Sequence, residues 1–526
     1  MKFRKYIFLL FLFYSYSPVL AQVDTAWVRR YNGPGNAYDE GNSMAIDDIG
    51  NVYVTGWSIG SGTNYDYATI KYAPNGDTLW VRRYNGPANS SDQAFAMAVD
   101  KNYNVYVTGG SNGSGTGSDY ATIKYGPNGD TLWVRRYNYA GSGSDAAYAI
   151  QVVDSGYVYV TGRSYGGATT NIDYATIKYA PNGNLLWIRR YNGPLNMNSQ
   201  YGDDWARALA VDDNGNVYIT GQSQGFNVID DYLTIKYKPN GDTAWVRRYN
   251  GPGNSYDFAF SLALDNSGNI YVNGYSYGSG NSVADYATIK YASNGNTLWV
   301  RRYNGPENGY DYSRDVTVDK DGIVYTTGES QGSGTSFDFA TIKYSAVGDT
   351  VWVRRYNGPG NGNDYARALA VDDSGNVYVA GDSYDSSSLS DYATIKYASN
   401  GNSLWVERYN GPGNNLDGAY AIKVDDSGNV YVTGRSRGIG SDYDYATIKY
   451  SPCVAKPGDV TGDGNVLLPD IVAIINFLFK SAPAPNPLCR GDANGNGTVL
   501  LPDIVYLINF IFKSGPAPIK SQECCL

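Results

Sequence analysis

The stretch Trp352-Val-Arg-Arg-Tyr-Asn-Gly358 returns along the chain almost letter for letter. Its tryptophans stand at Trp27, Trp80, Trp133, Trp187, Trp245, Trp299, Trp352 and Trp405, at intervals of 53, 53, 54, 58, 54, 53 and 53 residues. Between them lie short runs of alternating apolar residues separated by Gly, Asn, Asp and Ser. A period near fifty filled in this way marks an all-β propeller, in which each repeat is one small sheet that buries its faces only against its neighbours.

The unit beginning at Trp352 resolves into four strands. Ala366 to Asp372 is rich in small residues, and Asp373-Ser374-Gly375 turns it into a second strand, Asn376 to Ala380. The third, Asp391 to Tyr397, puts Ala393, Ile395 and Tyr397 on one face and Tyr392, Thr394 and Lys396 on the other. Ser399-Asn400-Gly401 leads into the fourth, Trp405 to Tyr409, and Asn-Gly or Ser-Gly supplies the positive φ a tight hairpin needs. The repeats open with a fourth-type strand (Trp27 to Tyr31) and close with a third-type one (Asp444 to Tyr450). Eight four-stranded blades therefore form if the N-terminal strand completes the last blade and removes two open edges; seven blades plus a stray unit is the other outcome.

The segments Gly50-Asn-Val-Tyr-Val-Thr-Gly56, its copy Gly428 to Gly434, and Asp66-Tyr-Ala-Thr-Ile-Lys-Tyr72 resemble the secreted bacterial β-propeller repeats called SBBP, over about residues 24–450. The resemblance implies the fold and no activity.

Function must lie where the repeats differ. The turns between first and second and between third and fourth strands are nearly uniform and share one face. The other connections vary, as Gly56 to Asn64 against Gly381 to Leu389 shows, and make the opposite face a candidate recognition surface. The fourth repeat carries five extra residues within Leu195 to Asp204, followed by Trp205. Tyr201, Asp203, Asp204 and Trp205 are the candidate ligand-binding residues, with an aromatic ring to stack on a sugar and carboxylates for its hydroxyls. The plainer reading is a tolerated insertion with Trp205 filling a gap between blades.

Aspartates recur at Asp39, Asp92, Asp145, Asp204, Asp257, Asp311, Asp364 and Asp417, and again at Asp66, Asp119, Asp173, Asp231, Asp285, Asp338, Asp391 and Asp444. Presence in every repeat favours structural roles, capping a turn or pairing with the blade's own arginine, over a carboxylate pair for glycoside hydrolysis. The repeated tyrosines read as packing between sheets with the hydroxyl at the rim. Gly113-Ser-Gly-Thr-Gly117 is not a phosphate cradle, since no helix follows it.

Lys2, Arg4 and Lys5, the apolar run Ile7 to Phe13 and Val19-Leu20-Ala21 read as a secretory leader over residues 1–21. No other run reaches a membrane-spanning length, so the expectation is a secreted protein without a membrane span. There is no histidine, which excludes Ser-His-Asp and Cys-His catalysis and histidine-bound zinc. A net charge of -9 argues against nucleic acid. The propeller, residues 22–452, holds no cysteine; Cys453, Cys489, Cys524 and Cys525 all lie beyond it and allow three disulfide pairings.

The segment 453–526 holds two copies of one unit, Gly458 to Asp470 and Gly491 to Asp503. Each reads as a twelve-residue calcium loop of EF-hand type running into a helix. The first offers Asp459, Thr461, Asp463, Asn465 through its carbonyl, and Asp470; the second offers Asp492, Asn494, Asn496, Thr498 through its carbonyl, and Asp503. Two Ca²⁺ ions are expected, the first held more tightly by three carboxylates against two. Loop and helix, twice, without a leading helix, is similar to a type I dockerin. That resemblance implies a small α-helical module that plugs into a cohesin-like domain, through positions matching Leu468, Pro469, Leu501 and Pro502. Leu467 and Leu500 depart from the polar residue usual at the ninth position. The helices Ile471 to Phe479 and Ile504 to Phe512 are apolar nearly all round, so a partner or the chain's own propeller must cover them.

The sequence thus leads to an exported, non-catalytic propeller for recognition or scaffolding, tethered by a calcium-dependent plug, with its ligand left open and a glycan as one candidate. A polysaccharide-degrading enzyme, with Asp203 and Asp204 as its first candidates, is the alternative.

Overall fold

A computed structural model describes residues 23–139, 143–167, 171–194, 202–225, 229–279, 283–452, 457–461, 465–485, 490–496 and 498–519. The leader 1–21, Tyr201, Asp463 and all four cysteines lie outside those residues. The chain divides into two compact units, Thr25–Ser451 and the C-terminal residues from Pro452.

The larger unit is an eight-bladed propeller of four-stranded antiparallel sheets. Seven blades follow chain order. In the eighth, the N-terminal strand Val23–Tyr31 lies beside Tyr443–Pro452 and completes the sheet, as the strand count requires. Each first strand neighbours the first strands of the two adjacent blades, so these eight strands form the innermost ring. Their alanines, Ala94, Ala147, Ala206, Ala259, Ala366 and Ala419, are fully buried, because a larger side chain would not fit where the sheets converge. Strands run longer than the alternation alone indicates. In the seventh blade the second and third strands are Val377–Asp385 and Leu389–Tyr397, since Ser383, Tyr384 and Asp385 go on pairing with Asp391, Ser390 and Leu389.

Both faces of the inner strands are buried against neighbouring blades, so the apolar pattern alone understates burial. Tyr392 and Thr394, on the polar-looking side, are as buried as Ala393 and Ile395. The polar groups there are satisfied across the sheet and between blades. Thr55 and Thr69 share a 2.9 Å hydrogen bond, and Tyr67 donates 3.2 Å to the carbonyl of Ala121 in the next blade. The third-strand tyrosines thus turn their hydroxyls inward, not to the rim. It is the second-strand set that reaches a turn, as Tyr53 does in donating to Asp47 at 2.8 Å.

The repeated Trp-Val-Arg-Arg motif is the stitching between blades. Trp80 donates its indole N–H to the carbonyl of Pro127, and Arg82 its Nε–H to that of Gly129 at 2.7 Å, both in the next blade's last hairpin. Main-chain acceptors explain why the acceptor position tolerates Pro, Ser or Ala. Gly129 itself is required: it sits at φ +84°, and a Cβ there would lie 2.8 Å from the Arg82 Nε. The first arginine of the motif departs once, with Glu407 in its place. That strand faces the seam, where no hairpin joins Tyr443–Pro452 to Val23–Tyr31. Burying each indole, at about 25 cal/mol per Å² over roughly 200 Å², stabilises the ring by about 5 kcal/mol.

In the C-terminal unit, α1 (Leu468–Lys480) packs on α2 (Leu501–Lys513). Their small core is internally symmetric, with Val466 matching Val499, Ile471 matching Ile504 and Ile474 matching Leu507. Both helices end at a serine in the left-handed conformation, Ser481 and Ser514. No helix among the described residues is long and apolar enough to cross a membrane.

Candidate functional site

The two aspartate rings are structural. The first caps the loop entering each blade. Asp92, fully buried, accepts from Gly86 N–H at 2.6 Å and Asn112 N–H at 3.1 Å. Burial lifts these carboxyls, to about 6 for Asp39, Asp257 and Asp311 and about 7 for Asp204. The second ring pairs with the blade's own second arginine at 2.5–3.0 Å in all eight blades, Arg30–Asp444 across the seam included. Asp204 is therefore one cap among eight, accepting from Gly193 N–H at 2.7 Å, and not a member of a separate acidic pair. Asp203 is half-buried and accepts from the Asn171 amide.

The distinctive feature lies at the variable-loop end of the axis. Each first strand carries a β-bulge at one repeat position, occupied in turn by Asn42, Phe95, Tyr148, Arg207, Phe260, Arg314, Arg367 and Tyr420. Bulges re-aim side chains, and here the column holding the bulge differs from blade to blade. All of these side chains but Asn42, with residues above them, close a belt of ring and cation contacts. Trp57 meets Phe95 at 5.8 Å and Phe95 meets Tyr148 at 5.2 Å. Arg207 lies 5.7 Å from both Tyr148 and Phe260, and Arg314 continues from Phe260 at 5.3 Å to Tyr312 at 5.8 Å. Phe337 links Tyr312 to Tyr365 at 5.9 and 6.1 Å, and Arg367 joins Tyr365 to Tyr420 at 5.2 and 6.0 Å. Arg435 spans Tyr420 and Tyr38 at 5.8 and 5.6 Å, and Tyr65 returns to Trp57. The circuit passes through all eight blades.

Trp205 belongs to this belt. Its half-buried ring lies on the strand Asp204–Val211 and not in an exposed loop, and it packs between blades with Arg163 at 4.5 Å and Arg207 at 4.9 Å. Three of the five belt arginines are paired with carboxylates: Arg314 with Glu329 through its Nε at 2.9 Å, Arg367 with Asp382 at 2.9 Å, and Arg435 with Glu40 at 3.1 Å. Sequence reading missed the belt because it sought variation in loop tips. The signal was present one column at a time, at the bulge position and in the flanking set Glu40, Trp205, Phe258, Tyr312 and Tyr365.

The opposite face holds grooves between blades, of about 650 Å³ beside Asp47 and Asp425 and about 640 Å³ beside Asp154 and Asp212. The same turn positions line both, so they follow from the repeat.

In the C-terminal unit the twelfth-position carboxylates turn into their loops. Asp470 Oδ1 accepts from the Thr461 N–H and hydroxyl at 2.8 and 2.9 Å, and its Oδ2 from Leu467 N–H at 2.8 Å. Asp503 repeats this with Asn494 and Leu500 at 3.1 and 2.9 Å. Asp459, Asp470, Asp492 and Asp503 are all buried, and Asp503 is raised by burial with the charge of Asp492 adding to it. No cluster of three metal-ligating side chains of the His, Cys, Asp and Glu set occurs among the described residues. Leu467 and Leu500 are half exposed and offer no oxygen.

A family model described as the SBBP β-propeller repeat matches residues 26–63, 186–228, 244–281 and 351–386. The chain is thus a β-propeller repeat protein whose matched units run from a fourth strand across the next blade's first two. An uncharacterized WD repeat-containing protein of Acanthamoeba polyphaga mimivirus is 25% identical over 431 residues, covering 64% of this chain. The chain spans only 29% of that viral protein. Among solved structures, a eukaryotic initiation factor aligns with 9% identity and a TM-score of 0.40 over 71% of this chain and 78% of its own. Drosophila Plexin A in complex with Semaphorin 1b aligns with 9% identity and 0.37 over 84% and 89%.

Proposed function

We propose that this protein is an exported, non-catalytic recognition propeller whose ligand, a glycan, binds at the variable-loop end of the axis. The observation that carries this reading is the closed aromatic–arginine belt. It is built only from repeat columns that differ between blades, while the columns that hold the ring together stay constant. Rings and guanidiniums are the groups that stack on sugar faces and hydrogen-bond their hydroxyls. Asp204 as a buried cap removes the Asp203–Asp204 pair that the hydrolysis reading named.

The C-terminal unit is proposed as a calcium-dependent tether. Asp459, Asp463 and Asp470, with Thr461 and the Asn465 carbonyl, would hold one ion; Asp492, Asn494, Asn496 and Asp503, with the Thr498 carbonyl, would hold the other. Buried carboxylates at the first and twelfth positions of each loop fit a cation, which would offset their desolvation and mutual repulsion. Leu468, Val472 and Phe479 and their counterparts Leu501, Val505 and Phe512 are exposed on two equivalent helices, which suits an apolar partner surface such as a cohesin-like domain. Pro469 and Pro502 lie beside them at the helix starts. Export rests on the leader-like residues 1–21.

A glycan array probed with the full chain tests the recognition reading. Binding without turnover that weakens at least tenfold on Tyr312→Ala supports it. Retained binding in that variant, or hydrolysis abolished by Asp203→Ala, sinks it.

A further inference from the structure

Of the five arginines in the axial belt, two have no carboxylate. Arg163 and Arg207 come from adjacent blades, yet neither has an acidic oxygen within 4.0 Å among the described residues. Both lie over the same two rings. Arg163 is 4.5 Å from Trp205 and 5.9 Å from Tyr148; Arg207 is 4.9 and 5.7 Å from them. The Nε atoms of both are buried and lack a hydrogen-bond acceptor. Arg207 spends one Nη on the Gln222 side-chain oxygen at 3.3 Å, its one hydrogen bond among the described residues. Burial, with the charge of Arg163 adding to it, pulls Arg207 below the ordinary arginine range. Asp203 and Asp230 stand nearby, but Asn171 and Gln222 engage them, the latter at 3.2 Å.

Two half-buried guanidiniums left unneutralised cost stability. The other three arginines of the belt show that this architecture readily supplies a partner. The local design explains the juxtaposition: Arg163 pairs in register with Ala146, too small to meet it, so its side chain crosses to Trp205. Arg163 feels Asp203 only at longer range, and Arg207 has no carboxylate partner among the described residues, so the close counter-charge is left to a ligand. Leading away from Arg207 through Phe260 is a run of tyrosines and phenylalanines whose outer members, Tyr256 and Tyr310, are exposed and stack in near-parallel pairs on Phe258 and Tyr312.

We propose that the corner formed by Arg163, Trp205 and Arg207 binds the anionic substituent of an acidic polysaccharide, whose neighbouring sugar rings lie along the aromatic run. This rests on the recognition reading and specifies its ligand class. Carboxylate and sulfate share the chemistry that two guanidiniums recognise.

The test measures binding of the full chain to polygalacturonate, alginate and dextran sulfate, beside methyl-esterified polygalacturonate and neutral dextran. Carboxylated or sulfated polymers are expected to bind at least tenfold more tightly than the uncharged ones. Preference between polygalacturonate and dextran sulfate identifies which anion is read. Arg163→Gln and Arg207→Gln should abolish the preference while the melting temperature stays level or rises, because an unpaired charge has been removed. A melting temperature that falls sharply in both variants assigns them a structural role and overturns the proposal. Equal binding of charged and uncharged polymers, still lost on Tyr312→Ala, overturns the anion site and leaves recognition standing. Tighter binding of poly-glutamate than of any polysaccharide overturns the ligand class. No binding across the panel overturns both readings.

Discussion

The seam of the ring permits a sharp experiment on what the repeated arginine does. Arg82 donates through Nε to Gly129 O at 2.7 Å and through Nη2 to Asn128 O at 3.0 Å, and its guanidinium lies 5.7 Å from the Trp80 ring. Charge-assisted bonds contribute about 1.5–3 kcal/mol when shielded and less when exposed; the stacking adds about 0.5–1 kcal/mol. Arg82 is half-buried and the Asn128 bond is exposed, so Arg82→Glu is expected to destabilise by about 3 kcal/mol. Glutamate also turns a negative group toward the two carbonyls. At the seam the same column holds Glu407, whose strand faces no connecting hairpin and which keeps a contact of its own. Glu407→Arg should therefore give no gain, although it restores the repeat consensus. Guanidinium denaturation followed by tryptophan fluorescence, with thermal melts as a second probe, reads both changes. A stabilisation by Glu407→Arg comparable to the loss in Arg82→Glu would refute the reasoning, since it would place the arginine's value within its own strand and not in the neighbouring turn.

Three further outcomes are expected. Arg30→Ala removes bonds to Asp444 at 2.8 Å and the Ser436 carbonyl at 2.7 Å, leaving a buried carboxylate unpaired; a loss of about 2–4 kcal/mol and early proteolytic release of the N-terminal strand should follow, and an unchanged cleavage pattern would count against closure by that strand. The capping carboxyls are raised in the folded state, to about 6 for Asp39, Asp257 and Asp311 and about 7 for Asp204, so their charged forms are penalised: stability falls as pH rises through 6–7 and returns as pH drops toward 4, by about 3 kcal/mol for a shift of about two units. Melting temperatures at pH 5 below those at pH 8 would contradict this. In the tether, calcium titration of the full chain should show two sites, with Asp470→Asn abolishing the tighter one and Asp503→Asn the weaker; a chain that takes up no calcium ends the tether reading.

How much was legible depended on what each residue answers to. The blade count, the seam and the roles of both aspartate rings followed from position in the repeat, because a residue kept in all eight units must serve what all eight share. Strand ends were less legible: Tyr384 and Asp385 read as loop yet stay paired, since register with the third strand and not composition decides where pairing stops. The inward hydroxyls of Tyr67 and its counterparts were invisible, because their acceptors are carbonyls of another blade.

The axial belt was hidden for a different reason. Arg207 lies twenty residues past Trp187 where its counterparts lie fifteen past theirs, and the insertion drew attention to Tyr201 and Asp204 and away from the strand behind them. No two belt neighbours are close in sequence where the contact crosses blades: Phe95 and Tyr148, or Arg435 and Tyr38, meet only once the ring closes. In a repeat protein the constant columns report the scaffold and the varying columns inside the strands report the site, so aligning the eight units and asking which buried positions refuse to agree is the reading that finds it. Here those positions collect at one end of the axis, which is the arrangement a single ligand on an eightfold scaffold demands and eight equivalent packing solutions do not.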